Sequence, residues 1–294
     1  MRHAILGAGG IGGLIGASLA HQGDQVTLLL RPETLAQHPP YLRLEGPFGN
    51  FQAPVRTDAK LSEPVDVLWV TVKAYDLVAA LRAVPPDSPR IVTIVPLLNG
   101  IDHVALLRRS FNHESVVPGT IAVESERVAP GHIIQRSPFA RLALSATGER
   151  QLEGVAALLR RAGFSCEFQA DEKTILWSKL AFLAPFALTT TAGNKSKQEI
   201  CADPAWRARL ESTIREACAV AVAEGATVDH ARILATIESL PPTMRSSMQK
   251  DVSAARTPEL DAIGGPIVRA GRAHGIDVPT TRELIARIED RLSH

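Results

Sequence analysis

The sequence predicts an α/β fold: a parallel-sheet domain followed by an all-helical one. Three observations predict it. The chain opens on an apolar run, His3-Ala4-Ile5-Leu6, that passes at once into a glycine-rich turn. Further runs rich in Val, Ile and Leu recur between helical stretches, the pattern of strands buried on both faces. Beyond about residue 170 such runs vanish and only long helical segments remain.

The opening strand leads into Gly7-Ala8-Gly9-Gly10-Ile11-Gly12, a G-x-G-x-x-G motif placed between a strand and a helix. In that setting the motif is the dinucleotide-binding fingerprint of a Rossmann-type domain. Gly7 allows the tight turn, Gly9 lets backbone approach a pyrophosphate, and Gly12 lets the helix pack close on the strand. The helix N-terminus offers unpaired N–H groups to the phosphates. The second strand, Gln25 to Arg31, selects the cofactor. An NAD site places Asp or Glu near this strand end to accept from the ribose 2′-hydroxyl. Here Leu30 and Arg31 stand there, and a guanidinium suits a 2′-phosphate. The expected cofactor is therefore NADPH/NADP. Asp24 precedes the strand and lies at its wrong end.

The stretch from Arg31 to Lys60 is rich in Pro and Gly, with short apolar pieces at 42–44 and 51–55. Buried strands follow at 65–72, ending in Lys73, and at 91–95, leading through Pro96 to Asn99-Gly100. Gly7, Arg31, Lys73 and Asn99 thus all sit just after strand ends, where ligands of parallel sheets gather. Strand-like pieces at 116–123, 132–135 and 165–168, with a helix at 149–161, complete a domain over residues 1–169. Helical segments at 171–188, 204–224, 258–274 and 279–292 make a second domain, 170–294.

Composition narrows the class. The 294 residues are 45% apolar and 21% charged, as in an ordinary globular protein. A net charge of +1 gives no basic footprint for nucleic acid. Cys166, Cys201 and Cys218 show no metal-ligand spacing and are odd in number, which favours a reducing compartment. No histidine spacing suggests zinc, so no metal is expected. The glycines interrupt any signal-like apolar run, and no uninterrupted stretch reaches the ~18 residues that span a bilayer. A cytoplasmic protein without a membrane partner is expected.

Three positions carry candidate chemistry. Lys179 stands in Ile175-Leu176-Trp177-Ser178-Lys179-Leu180-Ala181-Phe182-Leu183. A lysine there either snorkels to the surface or is desolvated into a proton donor near neutral pH. Glu259 follows Pro258, and the pair reads as the first turn of a helix, where an acid is already favoured by the helix dipole. Ser246-Ser247 suits either a helix cap or a carboxylate contact.

Taken together, these pieces resemble the ketopantoate reductase (2-dehydropantoate 2-reductase) family. The resemblance is carried by Gly7 to Gly12, Leu30-Arg31, Val70-Thr71-Val72-Lys73-Ala74 and Leu98-Asn99-Gly100. It continues through Leu176-Trp177-Ser178-Lys179-Leu180-Ala181, Ser246-Ser247-Met248, Asp251, Arg256-Thr257, Glu259-Leu260-Asp261 and Ala273 to Pro279. It implies reduction of a 2-oxo acid by NADPH, with 2-dehydropantoate as substrate and pantothenate biosynthesis as setting. It implies Lys179 as general acid, Glu259 as its orienting partner and Ser247 as the substrate-carboxylate contact. Arg31 and Lys73 would contact cofactor, Asn99 both cofactor and substrate, and Glu216 would be a further acid at the site.

One departure stands out. The family carries asparagines four and eight residues after the lysine, on the same helix face. This chain has Leu183 and Ala187 there, with Pro185 between them to remove a helical hydrogen bond. Leu183 and Ala187 are thus expected as substrate contacts, and the substrate as more apolar than ketopantoate. Two other readings compete: a dehydrogenase running in the oxidative direction, and a non-catalytic NADP(H)-binding sensor. The helical domain is the candidate surface for a homodimer.

Overall fold

The computed structural model describes residues 1–293. The chain divides into two compact units, Met1–Leu98 with His103–Ile175, and Asn99–Asp102 with 176–293. The boundary falls inside a helix rather than at 169/170, and the short segment that begins at Asn99 belongs with the helical unit.

The first unit begins β1 (Arg2–Leu6), α1 (Gly10–His21), β2 (Gln25–Leu29) and a short α2 (Pro32–Leu35). Then come β3 (Tyr41–Glu45), β4 (Phe51–Pro54), β5 (Arg56–Asp58), β6 (Val65–Val70), a short α3 (Leu77–Ala80) and β7 (Ile91–Pro96). Helix α4 (Asp102–Ser110) is followed by β8 (Gly119–Ala122), β9 (Ser125–Ala129), β10 (His132–Gln135), β11 (Arg141–Ser145), α5 (Glu149–Arg161) and β12 (Ser165–Gln169). The sheet that positions the loop is fully parallel, in the order β5-β2-β1-β6-β7. Its central strands β1 and β6 are almost wholly buried, as the near-continuous apolar runs require.

Two further mixed sheets, β4-β3-β10-β9 and β12-β11-β8, were not evident from those runs. The reason is burial. Strand β9 is mostly exposed, while β3 alternates between buried and exposed positions, so neither reads as a continuous apolar run. Helix α1 packs against strands of the parallel sheet and of the four-stranded sheet. That double contact explains its small residues. A Cβ on Gly10 would strike the Ser125 backbone, and one on Gly13 would strike Ile133.

The second unit is helical: α6 (Glu172–Gly193, whose first turn lies in the first unit), α7 (Lys197–Ala202), α8 (Pro204–Ala223), α9 (His230–Glu238), α10 (Ser247–Ser253), α11 (Leu260–His274) and α12 (Pro279–Leu292). Helix α6 is, among the described residues, long and apolar enough to cross a membrane by length and composition, although Lys179 interrupts its apolar run. Most of it is buried inside the fold, which accounts for its apolarity. The helix runs through Pro185 without ending. Glu216 on α8 accepts hydrogen bonds from the backbone N–H of Thr280 (2.9 Å) and Thr281 (2.8 Å) and from Thr281 Oγ1 (2.6 Å). Its carboxylate thus satisfies N–H groups at the start of α12 that have no partner within the helix, a structural role.

Candidate functional site

In the first unit, the glycine loop has the local geometry the motif demands. Gly7 has φ +104°, and a Cβ on it would approach Val72 N to 2.7 Å. A Cβ on Gly12 would collide with the Gly7 carbonyl and the Thr71 hydroxyl. Thr71 Oγ1 donates to the Gly7 carbonyl at 2.7 Å and fixes the turn. Gly9 differs: a Cβ there would meet nothing within 4 Å, so open space lies against this stretch of backbone. Among the described residues helix α1 has no side-chain cap and no acid in its first turn, so no side chain caps its N-terminal N–H groups. An open cradle at a bare helix N-terminus fits a pyrophosphate. Ala8 is buried behind the loop, while Gly10 and Ile11 are partly exposed at the start of α1.

The register of the sheet places the other first-unit candidates. Leu6 of β1 lies opposite Leu29 of β2 and Val70 of β6. Arg31 and Lys73 therefore leave the sheet on either side of the strand that feeds the glycine loop. Arg31 caps α2 through its backbone, and its guanidinium is 70% exposed and pairs with Asp76 at 3.2 Å. Lys73 is half-buried and precedes the short turn that carries Asp76. Asp24 binds the N-terminal ammonium (2.6 Å) and the buried His3 (2.9 Å), at the far end of β2 from Arg31.

In the second unit, three residues from distant segments form one cluster. Asn99 Nδ2 donates to Glu259 Oε2 at 2.9 Å. Gly100, at φ +81°, permits this approach, because a Cβ there would strike the Ala262 carbonyl at the start of α11. Arg269 strengthens it by pairing with both Asp102 and Asp261. Glu259 is buried and stands as the cap residue before α11, but its side chain makes no cap bond. The helix starts at Leu260 instead of Pro258, and the carboxylate is turned to Asn99 instead of serving the helix dipole. Burial lowers the Lys179 pKa from 10.5 to about 8, and the Glu259 carboxylate opposes that fall. Lys179 keeps partial solvent access.

The serine pair divides its work. Ser246 is buried, caps α10 by accepting from Gln249 N (3.1 Å), and accepts from Thr190 Oγ1 (2.9 Å). Ser247 is exposed at the first turn of α10. Leu183 is partly exposed one turn after Lys179, but Ala187 is fully buried in the helical core. Ala187 presents no surface to a ligand, which corrects its expected role: the second turn of this helix face is already covered by core packing. Among the described residues no group of three His, Cys, Asp or Glu side chains is placed to hold a metal ion.

A dinucleotide loop in a parallel α/β unit, joined to a helical unit with a lysine–glutamate–asparagine cluster, defines a class of nicotinamide-dependent oxidoreductases. The chain belongs to the ketopantoate reductase PanE/ApbA family: residues 3–147 match its family profile, and residues 171–291 match the profile of its C-terminal part. It is 31% identical to a 2-dehydropantoate 2-reductase of Caulobacter vibrioides, over 96% of both chains. A 2-dehydropantoate 2-reductase of Mycobacterium tuberculosis is 30% identical over 79% of this chain and 78% of its own. Among solved structures, a PanE/ApbA family ketopantoate reductase of Ralstonia eutropha superposes with a TM-score of 0.89 at 28% identity, over the whole of both chains. A D-mandelate dehydrogenase solved with NADH and anilino(oxo)acetate shares the fold with a TM-score of 0.87 at 20% identity, over 100% of this chain and 99% of that one. The chain is accordingly an oxidoreductase acting on a CH–OH/C=O group with a nicotinamide cofactor.

Proposed function

We propose that the chain reduces a 2-oxo acid to the 2-hydroxy acid with NADPH, with Lys179 as general acid. The observation that carries this reading is the cluster of Lys179, Glu259 and Asn99. Negative charge grows on the carbonyl oxygen during reduction, and an ammonium there stabilises it and then supplies the proton. Desolvation brings the lysine near neutral pH, and Glu259 keeps it charged enough to donate. Asn99, fixed by its bond to Glu259, orients that carboxylate. Exposed Ser247 offers a hydroxyl to the substrate carboxylate. The bound cofactor supplies the hydride. Gly7, Ala8, Gly9, Gly10, Ile11 and Gly12 hold its pyrophosphate, and Arg31 with Lys73 supports a 2′-phosphate.

2-Dehydropantoate, the substrate in the relatives' names, is the first candidate. Leu183 favours a second: a 2-oxo acid with an apolar distal end. A leucine cannot bond a substrate hydroxyl, and a site without that bond discriminates weakly in its favour. The free cysteines, two of them buried, suit a reducing cytoplasm.

The test is NADPH consumption against 2-oxo acids graded in polarity, including ketopantoate and its hydroxyl-free analogue. Saturable turnover of at least one, with comparable rates for the last two, supports both statements. Strict preference for ketopantoate removes the apolar reading. If NADPH binds but no 2-oxo acid turns over, the sensor reading takes over.

A further inference from the structure

We infer that Asp76 sets the cofactor selectivity of this site, weakening its preference for the 2′-phosphate so that NADH is used as well. The inference rests on the reading that Arg31 meets the adenosine ribose. It begins with sheet order. Strands β2 and β6 flank β1, and the register sets Leu29 and Val70 level with Leu6, one residue before the glycine loop. Arg31 lies two residues beyond β2, and Asp76 six residues beyond β6. Their side chains nevertheless meet, Nη2 donating to Oδ2 at 3.2 Å. The ion pair therefore bridges two inter-strand spacings, ~10 Å, past the end of the strand that delivers the loop.

Nothing in the fold demands this pair. The Arg31 backbone is held independently, its carbonyl accepting from Thr34 N (2.9 Å) and Leu35 N (3.2 Å). The guanidinium is 70% exposed and the Asp76 carboxylate 38% exposed, so both stand open to a ligand and their mutual attraction is weak.

The two groups ask for opposite ligands. An arginine at this sheet edge selects a 2′-phosphate, and a carboxylate selects a 2′-hydroxyl. Each determinant comes from a different strand end, and here they share one place. A phosphate must draw the guanidinium away from Asp76 and then stand in the field of its charge. A hydroxyl can donate to Asp76 and leave the pair intact. Lys73, on the same segment, adds a cation that favours phosphate, so neutralising Asp76 removes the carboxylate paired with Arg31 here.

The experiment measures binding of adenosine fragments to the whole protein by calorimetry, apart from turnover. The probes are 2′,5′-ADP and 5′-AMP, tested with wild type, Asp76→Asn, Asp76→Ala and Arg31→Ala. Removing one unit of like charge at this range should tighten 2′,5′-ADP roughly three- to tenfold in both Asp76 variants. 5′-AMP should bind no better, and the NADPH-to-NADH ratio of kcat/KM should rise in parallel. An unchanged or smaller fragment ratio in the Asp76 variants overturns the proposal, provided Arg31→Ala still abolishes the preference for 2′,5′-ADP. If Arg31→Ala leaves that preference intact, the NADPH reading itself fails, and the role of Asp76 falls with it.

Discussion

The glycine loop of the first unit and the lysine cluster of the second are built in opposite ways. Every residue of the loop lies within six positions of the next, and its neighbours explain each glycine: a positive φ at Gly7, a close approach at Gly12, open space at Gly9. The cluster draws on segments as much as 160 residues apart and exists only because α6, α11 and the segment at Asn99 pack together. A loop of this kind is specified by local sterics and tolerates no added atom at Gly7 or Gly12. A dispersed cluster is specified by electrostatics and tolerates changes of shape, yet loses function with one charge.

The largest effect should come from that charge. Lys179→Ala removes the proposed proton donor, and kcat for reduction should fall about 10³-fold. Binding of NADPH, followed by its fluorescence, should remain near the wild-type level. Loss of binding together with turnover would show that the two sites are not separable in this way.

The loop should break in the other sense. Gly12→Ala places a Cβ against the Gly7 carbonyl and Thr71. The overpacking should cost about 1–3 kcal/mol of stability and weaken cofactor binding by roughly tenfold or more. Thermal melting and NADPH titration check both. Gly9→Ala is the contrast, because its Cβ fits the fold. That variant should melt like wild type and lose only cofactor affinity.

The pH profile comes next in size. As the proposed acid, Lys179 must be protonated to donate, so the rate of reduction should fall above pH about 8, while the reverse oxidation should gain up to that pH. Glu259 opposes the fall in the lysine pKa, so Glu259→Gln should move the limb below 8 and slow reduction about tenfold at pH 8. A limb that stays in place would detach Glu259 from the lysine. The same shift has a stability consequence. Between pH 8 and 10.5 the unfolded lysine binds a proton that the folded one has released, so this group makes the fold more stable as pH rises through that window.

This difference in construction also decided what the sequence revealed. The loop was legible because strand, turn and helix follow one another, and even the packing role of Gly12 could be named. Lys179 was visible as a charge in an apolar segment. Local sequence favours a helix-dipole acid at Glu259, because Pro258 marks a helix start two residues before the true one, and only the resemblance points to a site role; its bond to Asn99 depends on Gly100, which lets that segment onto α11. Ala187 shares a face with Lys179, but periodicity does not say where along a helix the core closes over it. Strand β9 and the short helices α7, α9 and α10 gave weak signals, the strand from exposure and the helices from their few turns. The partner of Arg31 was invisible for a topological reason: it lies beyond β6, and only the sheet order brings that segment near β2.

The smallest expected effect concerns Leu183, where the two halves of this contrast meet. The residue sits one turn from the lysine, and like the loop it is a matter of shape. Leu183→Asn restores an amide at the position where the family carries one. The position is only partly buried but packs against the helical core, so replacing leucine by a polar amide should cost about 1–3 kcal/mol. If the chain favours an apolar 2-oxo acid, the variant should move kcat/KM toward ketopantoate over its hydroxyl-free analogue by roughly three- to tenfold, the scale of one substrate hydrogen bond. The gain should lie mostly in KM, because the hydroxyl is remote from the reacting carbonyl and is bound equally in ground and transition states. A gain confined to kcat would instead mean that Leu183 touches the reacting centre. No change in the ratio would mean that the substrate's distal end is read by another residue.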